Sequence, residues 1–280
     1  MSFRYKIAIC SLMVAAVGLS ECSATEDNSQ SKPILRIAAD PNNLPFSNER
    51  LEGFENKVAQ VVAEELGAEL RYTWRAQRRG FFRETLKTGD CDIVLGVPTG
   101  LERALTTEPY YQSSYVFVTP KDGGLRLSGL DDVQLRAARI GVQLIGDDGA
   151  NTPPAHALAM RGIITNVVGY TVYGDYREAN PPARIVAAVA RGDIDVAIVW
   201  GPLAGYFAKR ESIPLQLSPI SLTGTGSPAL PFWFDIGMGV KRGNKELKEK
   251  LDGALRTRRK EIGRILADFG IPEIARETNK

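Results

Sequence analysis

Short apolar runs alternate with amphipathic segments along most of the chain. Residues 53–66 have an apolar residue at every fourth position, which is the spacing of one face of a helix. Periodicity and turn residues together predict helices at 53–66, 82–88, 153–162, 182–191 and 244–269, with a further helix ending at 206–209. They predict strands at 35–39, 70–73, 91–97, 115–119, 139–142, 163–172, 194–199, 214–217 and 232–240. Strands that alternate with helices indicate parallel β-α-β units.

Two segments interrupt this alternation and indicate crossings between two lobes: residues 119–124, and residues 218–231, which are rich in Ser, Thr, Gly and Pro. We therefore predict an α/β protein with two lobes, each a mostly parallel sheet flanked by helices, joined by a two-crossover hinge. Lobe 1 is predicted to be discontinuous, with residues 34–119 and 225–280, and lobe 2 to comprise residues 120–224. Ligands of open sheets bind beyond the carboxyl ends of the strands, so the predicted site is the cleft between the lobes.

The N-terminus is typical of a secretory signal, because basic residues, an apolar run at 7–19 and a polar stretch follow one another. We predict a signal peptide at 1–24, cleaved after Ala24, and a periplasmic protein. Two alternatives stay open. One is a lipid anchor on Cys22, although Glu21 stands where a lipoprotein motif has a small residue. The other is a short membrane anchor, although the apolar run is shorter than a bilayer requires.

Composition excludes several functions. The 280 residues include 35 Lys and Arg against 33 Asp and Glu, a net charge of +2, without the basic excess of a nucleic-acid-binding protein. A single histidine, His156, and three cysteines without metal-site spacing argue against zinc, and the sequence has no phosphate-loop motif. We predict neither a metal nor a cofactor. After signal removal only Cys91 remains, and we expect it to be a buried, unreactive thiol.

Five segments, in their order along the chain, resemble the type II periplasmic solute-binding proteins. They are Gly-Asp-Cys-Asp-Ile at 89–93, Glu-Arg at 102–103, Glu-Pro-Tyr-Tyr at 108–111, Gly-Val-Gln at 141–143 and Gly-Val-Lys-Arg-Gly-Asn-Lys-Glu-Leu at 239–247. The resemblance covers essentially all of the chain after the signal peptide. It implies the two-lobed periplasmic binding protein type II fold.

Longer strings resemble a narrower group, the MxaJ/XoxJ-type periplasmic accessory proteins of bacterial methanol oxidation. They are Ala-Asp-Pro-Asn-Asn-Leu-Pro-Phe-Ser-Asn at 39–48, Gly-Phe-Glu-Asn at 53–56, Gln-Arg-Arg-Gly-Phe at 77–81 and Gly-Asp-Asp-Gly-Ala-Asn-Thr-Pro-Pro-Ala-His at 146–156. This resemblance implies a non-enzymatic helper of a periplasmic quinoprotein (PQQ) alcohol dehydrogenase. Activation, maturation and carriage of a ligand all remain open as its task. Such relatives tend to have a second cysteine where this chain has Ala38.

An amino-acid carrier of this fold needs four elements: an arginine for the carboxylate, hydroxyl groups near it, an aromatic lid and an acid for the ammonium. Only Arg103 matches. The hydroxyl, lid and acid positions hold Gly96 and Pro98, Asn43, and Trp200. In the second lobe, Asp147 and Asp148 stand where they would repel a carboxylate. We therefore expect poor amino-acid binding.

The remaining candidates predict a more aromatic cleft for a peptide segment or a flat apolar group. Its predicted aromatic residues are Phe46, Phe81, Tyr110, Tyr111, Trp200 and Trp233. Its predicted polar residues are Asp40, Asn42, Asn43, Arg78, Arg79, Arg103, Asp147 and Asp148. Each aromatic residue has core filling as its alternative, and Arg78 and Arg79 have an ordinary solvated surface as theirs.

Other polar residues have a functional and a structural interpretation. His156 could act as a general base, but without a nucleophile nearby in the sequence we favour a structural role. The cluster Arg256, Arg258, Arg259 and Lys260 is interpreted as a solvated helix face rather than a docking site. Asp147, Asp148 and Asn151 offer oxygen ligands for a cation such as Ca²⁺, but lack a calcium-loop spacing, so turn formation is favoured.

Three functions of different classes follow. The favoured one is an accessory protein that engages a quinoprotein dehydrogenase through its cleft or the cleft rim, with a small ligand in the cleft left open. The second is the substrate-binding component of an ATP-binding-cassette transporter for a small polar or amino-acid-like solute. The third is an enzyme such as a dehydratase, for which only Glu102 or Asp148 offers an acid–base group.

Overall fold

The computed structural model of the chain describes residues 31–78, 80–145, 151–171, 176–220 and 231–272, in which strands and helices alternate as predicted. The strands are β1 (Ile34–Ala39), β2 (Asn42–Asn43), β3 (Ser47–Asn48), β4 (Glu69–Trp74), β5 (Ile93–Pro98), β6 (Leu105–Thr106), β7 (Tyr111–Pro120), β8 (Ile140–Leu144), β9 (Val167–Thr171), β10 (Val196–Trp200), β11 (Leu215–Pro219) and β12 (Trp233–Val240). The α-helices are α1 (Phe54–Glu65), α2 (Pro153–Met160), α3 (Arg184–Arg191), α4 (Gly201–Ala208), α5 (Lys245–Thr257) and α6 (Arg259–Asp268). Short helical turns lie at Arg83–Lys87, Val133–Arg136 and Pro181–Ala183.

One large sheet runs through the molecule in the order β4-β1-β5-β12-β7-β10-β8-β9, with β6 beside β12 and β11 beside β7. We call β4, β1, β5, β6 and β12 its first half, and β10, β8, β9 and β11 its second half. Three strands in each half are parallel: β4, β1 and β5, and then β9, β8 and β10. β12 and β11 pair antiparallel to their neighbours. The α/β architecture of parallel strands flanked by helices is therefore confirmed.

Strand β7 belongs to both halves. Residues 111–114 pair with β12, and residues 115–118 pair with β10. The partner therefore changes within a single extended strand, which is longer than the predicted strand at 115–119. Residues 32–280 pack as one compact unit. The lobe bounds at 34–119, 120–224 and 225–280 stay a prediction.

Helix α1 covers the first half of the sheet with the face that its sequence predicts. Phe54, Val58 and Val62 are buried in one hydrophobic core with Leu251 of α5 and Ile262 of α6. Burying such side chains stabilises the fold by roughly 1.5–3 kcal/mol each. The second half has cores on both faces, which α3 and α4 cover on one side and α2 on the other.

The segment 244–269 is helical as predicted, but it is divided at Arg258 into α5 and α6. Arg258 has φ −96° and ψ 14°, outside helical geometry. Its guanidinium donates to Glu261 at 2.5 Å and lies 3.6 Å from Glu64 and from Glu65 at the end of α1. The break lets both helices pack against α1, which a straight helix of that length cannot do.

The segment 163–172, predicted to carry a strand, contains β9 at Val167–Thr171. Ahead of it, the side chain of Asn166 donates to the carbonyl oxygens of Leu135 and Ala138 at 2.8 and 2.6 Å. These bonds hold residues before β9 against the neighbouring turn instead of the sheet.

Two sequence predictions concern the targeting segment and the single cysteine of the mature chain. The signal peptide at 1–24 and Cys22 lie outside the described residues. Within the described ranges, no helix is long and apolar enough to cross a bilayer. Cys91 is buried as predicted, and burial raises the pKa of its thiol.

Two matched arginine–aspartate pairs hold the parallel strands at their starts, one in each half. The guanidinium of Arg36 on β1 donates to both carboxylate oxygens of Asp92 before β5, at 3.1 and 2.6 Å. Arg139 before β8 makes the same contacts with Asp195 before β10, at 3.3 and 2.6 Å. In each pair the backbone N–H of the arginine also donates to the aspartate. The two halves thus repeat one local structure.

We expect Asp195→Asn to lower the free energy of unfolding by about 1 kcal/mol at neutral pH, a modest value because the pair is partly exposed. The hydrogen bond from Arg139 lowers the pKa of Asp195, so its stabilisation is present above the unfolded pKa and is lost as the pH falls through the folded pKa. The difference between variant and wild type should therefore shrink in acid. Urea unfolding of both proteins at several pH values measures this difference in the free energy of unfolding.

Asp193→Asn is the control, because Asp193 pairs with Arg191 on the exposed surface. A change within about 0.5 kcal/mol is expected there. An equal decrease in the free energy of unfolding of Asp195→Asn and Asp193→Asn would contradict a specific role for the pair of Arg139 with Asp195.

Candidate functional site

A cavity of about 370 Å³ lies where the two halves of the sheet meet. Its wall takes Asp40 from the end of β1, Pro98 from the end of β5, Trp200 from the end of β10 and Tyr111 and Tyr115 from β7. The cavity therefore lies beyond the carboxyl ends of parallel strands from both halves, where open α/β sheets bind ligands. Its volume falls within the range of small-molecule sites.

Six residues that the sequence predicts as cleft residues lie together on this wall. They are Asp40, Asn42, Asn43, Phe46, Tyr111 and Trp200. All six come from the segment after β1, the start of β7 and the end of β10, so their proximity follows from the strand order.

Other predicted residues lie elsewhere. Phe81 is buried in a separate small core with Leu86 and Cys91, which is its alternative role of core filling. Arg103 is exposed and does not line the cavity. Trp233 is 44% exposed at the start of β12 and is not a lining residue either.

Two predicted residues border the cavity without lining it. Tyr110 lies behind the wall, packed against the core of the first half. Arg78 is exposed, with its guanidinium 5.3 Å from the centre of the Tyr176 ring. Arg79, Asp147 and Asp148 lie outside the described residues, as does most of the suggested Ca²⁺ loop. Among described residues no group of three metal-ligating side chains occurs.

Sequence reasoning missed much of the lining. The missed polar and charged residues are Glu55, Gln77, Gln143, Thr152 and Tyr176, and the missed apolar ones are Gly96, Pro98, Tyr115, Ile145, Pro182, Leu203, Phe234 and Ile236. Pro98 and Ile145 end or follow predicted apolar strands, so the rule that ligands bind at carboxyl strand ends could have found them. Glu55 carries no such signal, because an acidic residue in the first turn of a helix is ordinary.

Glu55 is the most perturbed acid of the site. Its carboxyl borders the cavity but is otherwise surrounded by protein, and Oε1 accepts a hydrogen bond from the hydroxyl of Tyr110 at 3.2 Å. Burial raises the pKa of Glu55 to about 8, against the smaller lowering effect of that hydrogen bond. Among the described residues no positively charged side chain lines the cavity beside Glu55 to compensate, so Glu55 is mostly protonated at neutral pH.

Gly96 makes room for Glu55. The backbone of Gly96 has φ +71°, and a Cβ atom there would lie 2.5 Å from Oε1 of Glu55. Its N–H donates to the hydroxyl oxygen of Tyr110 at 3.1 Å, which leaves the Tyr110 hydrogen to Glu55. A hydroxyl-bearing side chain at this position, as an amino-acid carrier would need, would be strained by the positive φ and would have to displace the Glu55 carboxyl.

Asp40 is the second acid of the wall, and its carboxylate is well satisfied. It accepts from the backbone N–H groups of Asn42 and Gln77 at 2.9 and 2.7 Å, and from the hydroxyl of Tyr176 at 2.6 Å. Burial, and then the bond to Asp40, raise the pKa of Tyr176. Asn42 adds a bond to the carbonyl oxygen of Glu178 at 2.8 Å. The segment at 176–178 thus closes one side of the cavity against the segment after β1.

Three rings form a continuous wall, which we call the aromatic wall: Tyr115, Trp200 and Phe234. The rings of Tyr115 and Trp200 meet edge to face at 5.3 Å, and those of Trp200 and Phe234 at 5.8 Å. Burial raises the pKa of Tyr115 to about 12, so its hydroxyl stays neutral. Edge-to-face packing holds these rings in place, and all three residues line the cavity.

The remaining candidates are structural. Nε2 of the exposed His156 accepts from the backbone N–H of Asn151 at 3.3 Å, which is a local turn contact. Arg256 pairs with Glu108 at 2.8 Å, while Arg259 and Lys260 face solvent. Glu102, the acid suggested for an enzyme, is exposed and does not line the cavity.

Comparison with known proteins gives one family and several relatives. The family of bacterial extracellular solute-binding proteins, family 3, matches residues 35–269. Protein MoxJ of Methylorubrum extorquens is 28% identical over 275 residues, 95% of this chain and 90% of that protein. The solved periplasmic binding protein XoxJ from Methylobacterium extorquens AM1 is 35% identical, with a TM-score of 0.70 over 86% of this chain and 99% of that one. Solved MxaJ from Methlophaga aminisulfidivorans MPT is 26% identical, with a TM-score of 0.73 over 86% and 100%.

We expect Glu55→Gln to remove a pH dependence of stability. The folded protein keeps the Glu55 proton up to a pKa of about 8, while the unfolded chain releases it near 4.5, so this contribution is full below 4.5 and is lost as the pH rises through 8. From pH 6 to 9 the free energy of unfolding of the wild type should fall by about 2 to 3 kcal/mol more than that of the variant. Urea unfolding at both pH values measures the difference, with exposed Glu102→Gln as control. If the free energy of unfolding of wild type and Glu55→Gln changed equally between pH 6 and 9, this role of the Glu55 proton would be refuted.

We expect Tyr176→Phe to loosen the closed side of the cavity. The change removes one hydrogen bond to the Asp40 carboxylate, worth about 1.5–3 kcal/mol, and shifts the protein towards open arrangements. Small-angle X-ray scattering should then give a larger radius of gyration. Tyr170→Phe is the control, since its ring packs on a core of the second half. Identical scattering of Tyr176→Phe and wild type would count against this role.

Proposed function

We infer the function of this chain from its family, since it belongs to family 3 of the bacterial extracellular solute-binding proteins and is of the MxaJ/XoxJ type. We propose that it is a periplasmic accessory protein. It binds a PQQ-dependent methanol or alcohol dehydrogenase and assists the activation or maturation of that enzyme. In this proposal the protein binds the dehydrogenase but catalyses no reaction itself. Export to the periplasm follows from the signal peptide expected at 1–24.

One observation carries the preference for a partner protein over an amino acid. Arg103, the residue that matches the carboxylate-binding arginine of amino-acid carriers, is exposed and lies off the cavity wall. The hydroxyl positions are Gly96 and Pro98, and Glu55 fills the space beside Gly96. An amino-acid carboxylate would therefore meet an acid where it needs a guanidinium.

We further propose that the cavity rim contacts the dehydrogenase. Trp233 presents a large, 44% exposed ring at the start of β12, and Arg78 is exposed beside Tyr176. Tryptophan and arginine are the residue types that most often dominate binding at protein interfaces. Arg79, Asp147 and Asp148 are proposed to belong to the same rim.

The substrate-binding component of a transporter is the second candidate, and the cavity volume of about 370 Å³ favours it, because that volume suits a small solute. Such a protein would bind one metabolite tightly, and its melting temperature would rise with that metabolite by mass action.

The test measures direct binding of the protein without residues 1–24 to the purified dehydrogenase of the same organism, by biolayer interferometry. The proposal expects saturable binding, together with a change in turnover or in the fraction of active dehydrogenase. Trp233→Ala should weaken binding at least about tenfold, whereas Val133→Ala, at another exposed apolar residue, should not.

No binding to the dehydrogenase, together with a rise of several degrees in melting temperature on adding a single metabolite, would support the transporter component instead.

A further inference from the structure

Glu55 is half-buried and places its carboxyl group on the wall of an aromatic cavity, and no positively charged side chain accompanies it on that wall in the described ranges. We propose that the cavity binds a small organic cation, an alkylated ammonium ion with an apolar body, with Glu55 as its counter-ion. The accessory role does not require this site, so the two proposals stand or fall separately.

The charges of the wall favour a cation. Its only ionisable carboxyl groups among described lining residues are those of Asp40 and Glu55, and none of these residues is a lysine or arginine. Arg78 and Arg103 are exposed and lie off the wall. The Asp40 carboxylate attracts a cation in a low-dielectric space and repels an anion, and Glu55 adds a second negative charge once it releases its proton.

The two acids have different tasks. Asp40 already accepts three hydrogen bonds, two from backbone N–H groups and one from Tyr176. Among the described residues, Glu55 accepts one hydrogen bond, from the hydroxyl of Tyr110. It therefore keeps unused acceptor capacity, and it is the group that gains most from a positive charge in the cavity.

The aromatic residues select the kind of cation. The aromatic wall of Tyr115, Trp200 and Phe234 is joined on the cavity surface by Phe46 and Tyr111. Ring faces attract ammonium groups through the ring quadrupole, and they suit alkylated ammonium ions, which are held by contact with several rings rather than by many hydrogen bonds. A small inorganic cation would instead need a shell of oxygen ligands.

Binding of a cation in the cavity is then coupled to release of the proton from the Glu55 carboxyl group. The ionisable groups around Glu55 are Tyr72 of β4, Tyr110, and Tyr111 of β7, with Asp40 on the same cavity wall; all three tyrosines are neutral because burial raises the pKa of each. In the empty cavity Glu55 therefore keeps its proton near neutrality. A bound cation stabilises the carboxylate and displaces that proton.

Isothermal titration calorimetry with benzyltrimethylammonium tests this inference, because the probe has a fixed charge and does not titrate. At pH 7, titrations in phosphate and in Tris, whose ionisation enthalpies differ, should show release of nearly one proton per bound ligand. The association constant should rise about tenfold per pH unit between pH 6 and 8 and level off above pH 8.

Matched ligands and variants make the result specific. Neopentylbenzene derivatives without charge and phenylacetate should bind at least about tenfold more weakly than the cation. Glu55→Gln should weaken cation binding at least about tenfold and abolish proton release, whereas Glu102→Gln, at an exposed acid off the cavity wall, should change neither.

Three results would overturn the inference: no binding of benzyltrimethylammonium, equal or tighter binding of the neutral or anionic probe, or unchanged affinity and proton release in Glu55→Gln. Circular dichroism of Glu55→Gln confirms that the variant is folded before it is compared. Dehydrogenase binding is measured in a separate experiment. A negative calorimetry result therefore does not contradict the accessory role, and a negative dehydrogenase-binding result does not contradict the cation site.

Discussion

The backbone hydrogen bonds of β7 are the constraint on which the rest of the structure depends. One strand gives its first residues to β12 and its next residues to β10, so the two halves of the sheet share a single extended segment. Each half is also held by its own arginine–aspartate pair, Arg36 with Asp92 and Arg139 with Asp195. Two similar sets of parallel strands are therefore joined at one strand.

That shared strand also creates the cavity. The side chains of Tyr111 and Tyr115 come from the two differently paired parts of β7, and both reach the cavity wall. Trp200, at the end of the neighbouring β10, packs on Tyr115 and continues the wall. Across the cavity, the bond between Tyr176 and Asp40 closes the space. Movement about the β7 junction would change the cavity and this contact together, as in proteins that close around ligands by hinge motion.

Glu55 shows how the site differs from an ordinary core. Its burial without a cation costs stability when it is ionised, and the fold tolerates this only by retaining a proton or by adding a positive charge. Gly96 is adapted to it, since any larger residue would collide with the carboxyl. Strongly perturbed acids cluster at functional sites because such groups stabilise a ligand more than they stabilise the empty protein.

The sequence by itself determined the alternation of strands and helices, the apolar face of α1 and the segments at the ends of β1 and β10 that reach the cavity, because periodicity and turn residues act locally. It could not place Glu55, Tyr176 or Phe234 on one wall, since they meet only through pairings far apart in the chain. Nor could it show that Arg103 lies off the cavity wall or that Arg258 divides the last helical segment. Those outcomes depend on packing between elements, and only the tertiary structure decides them.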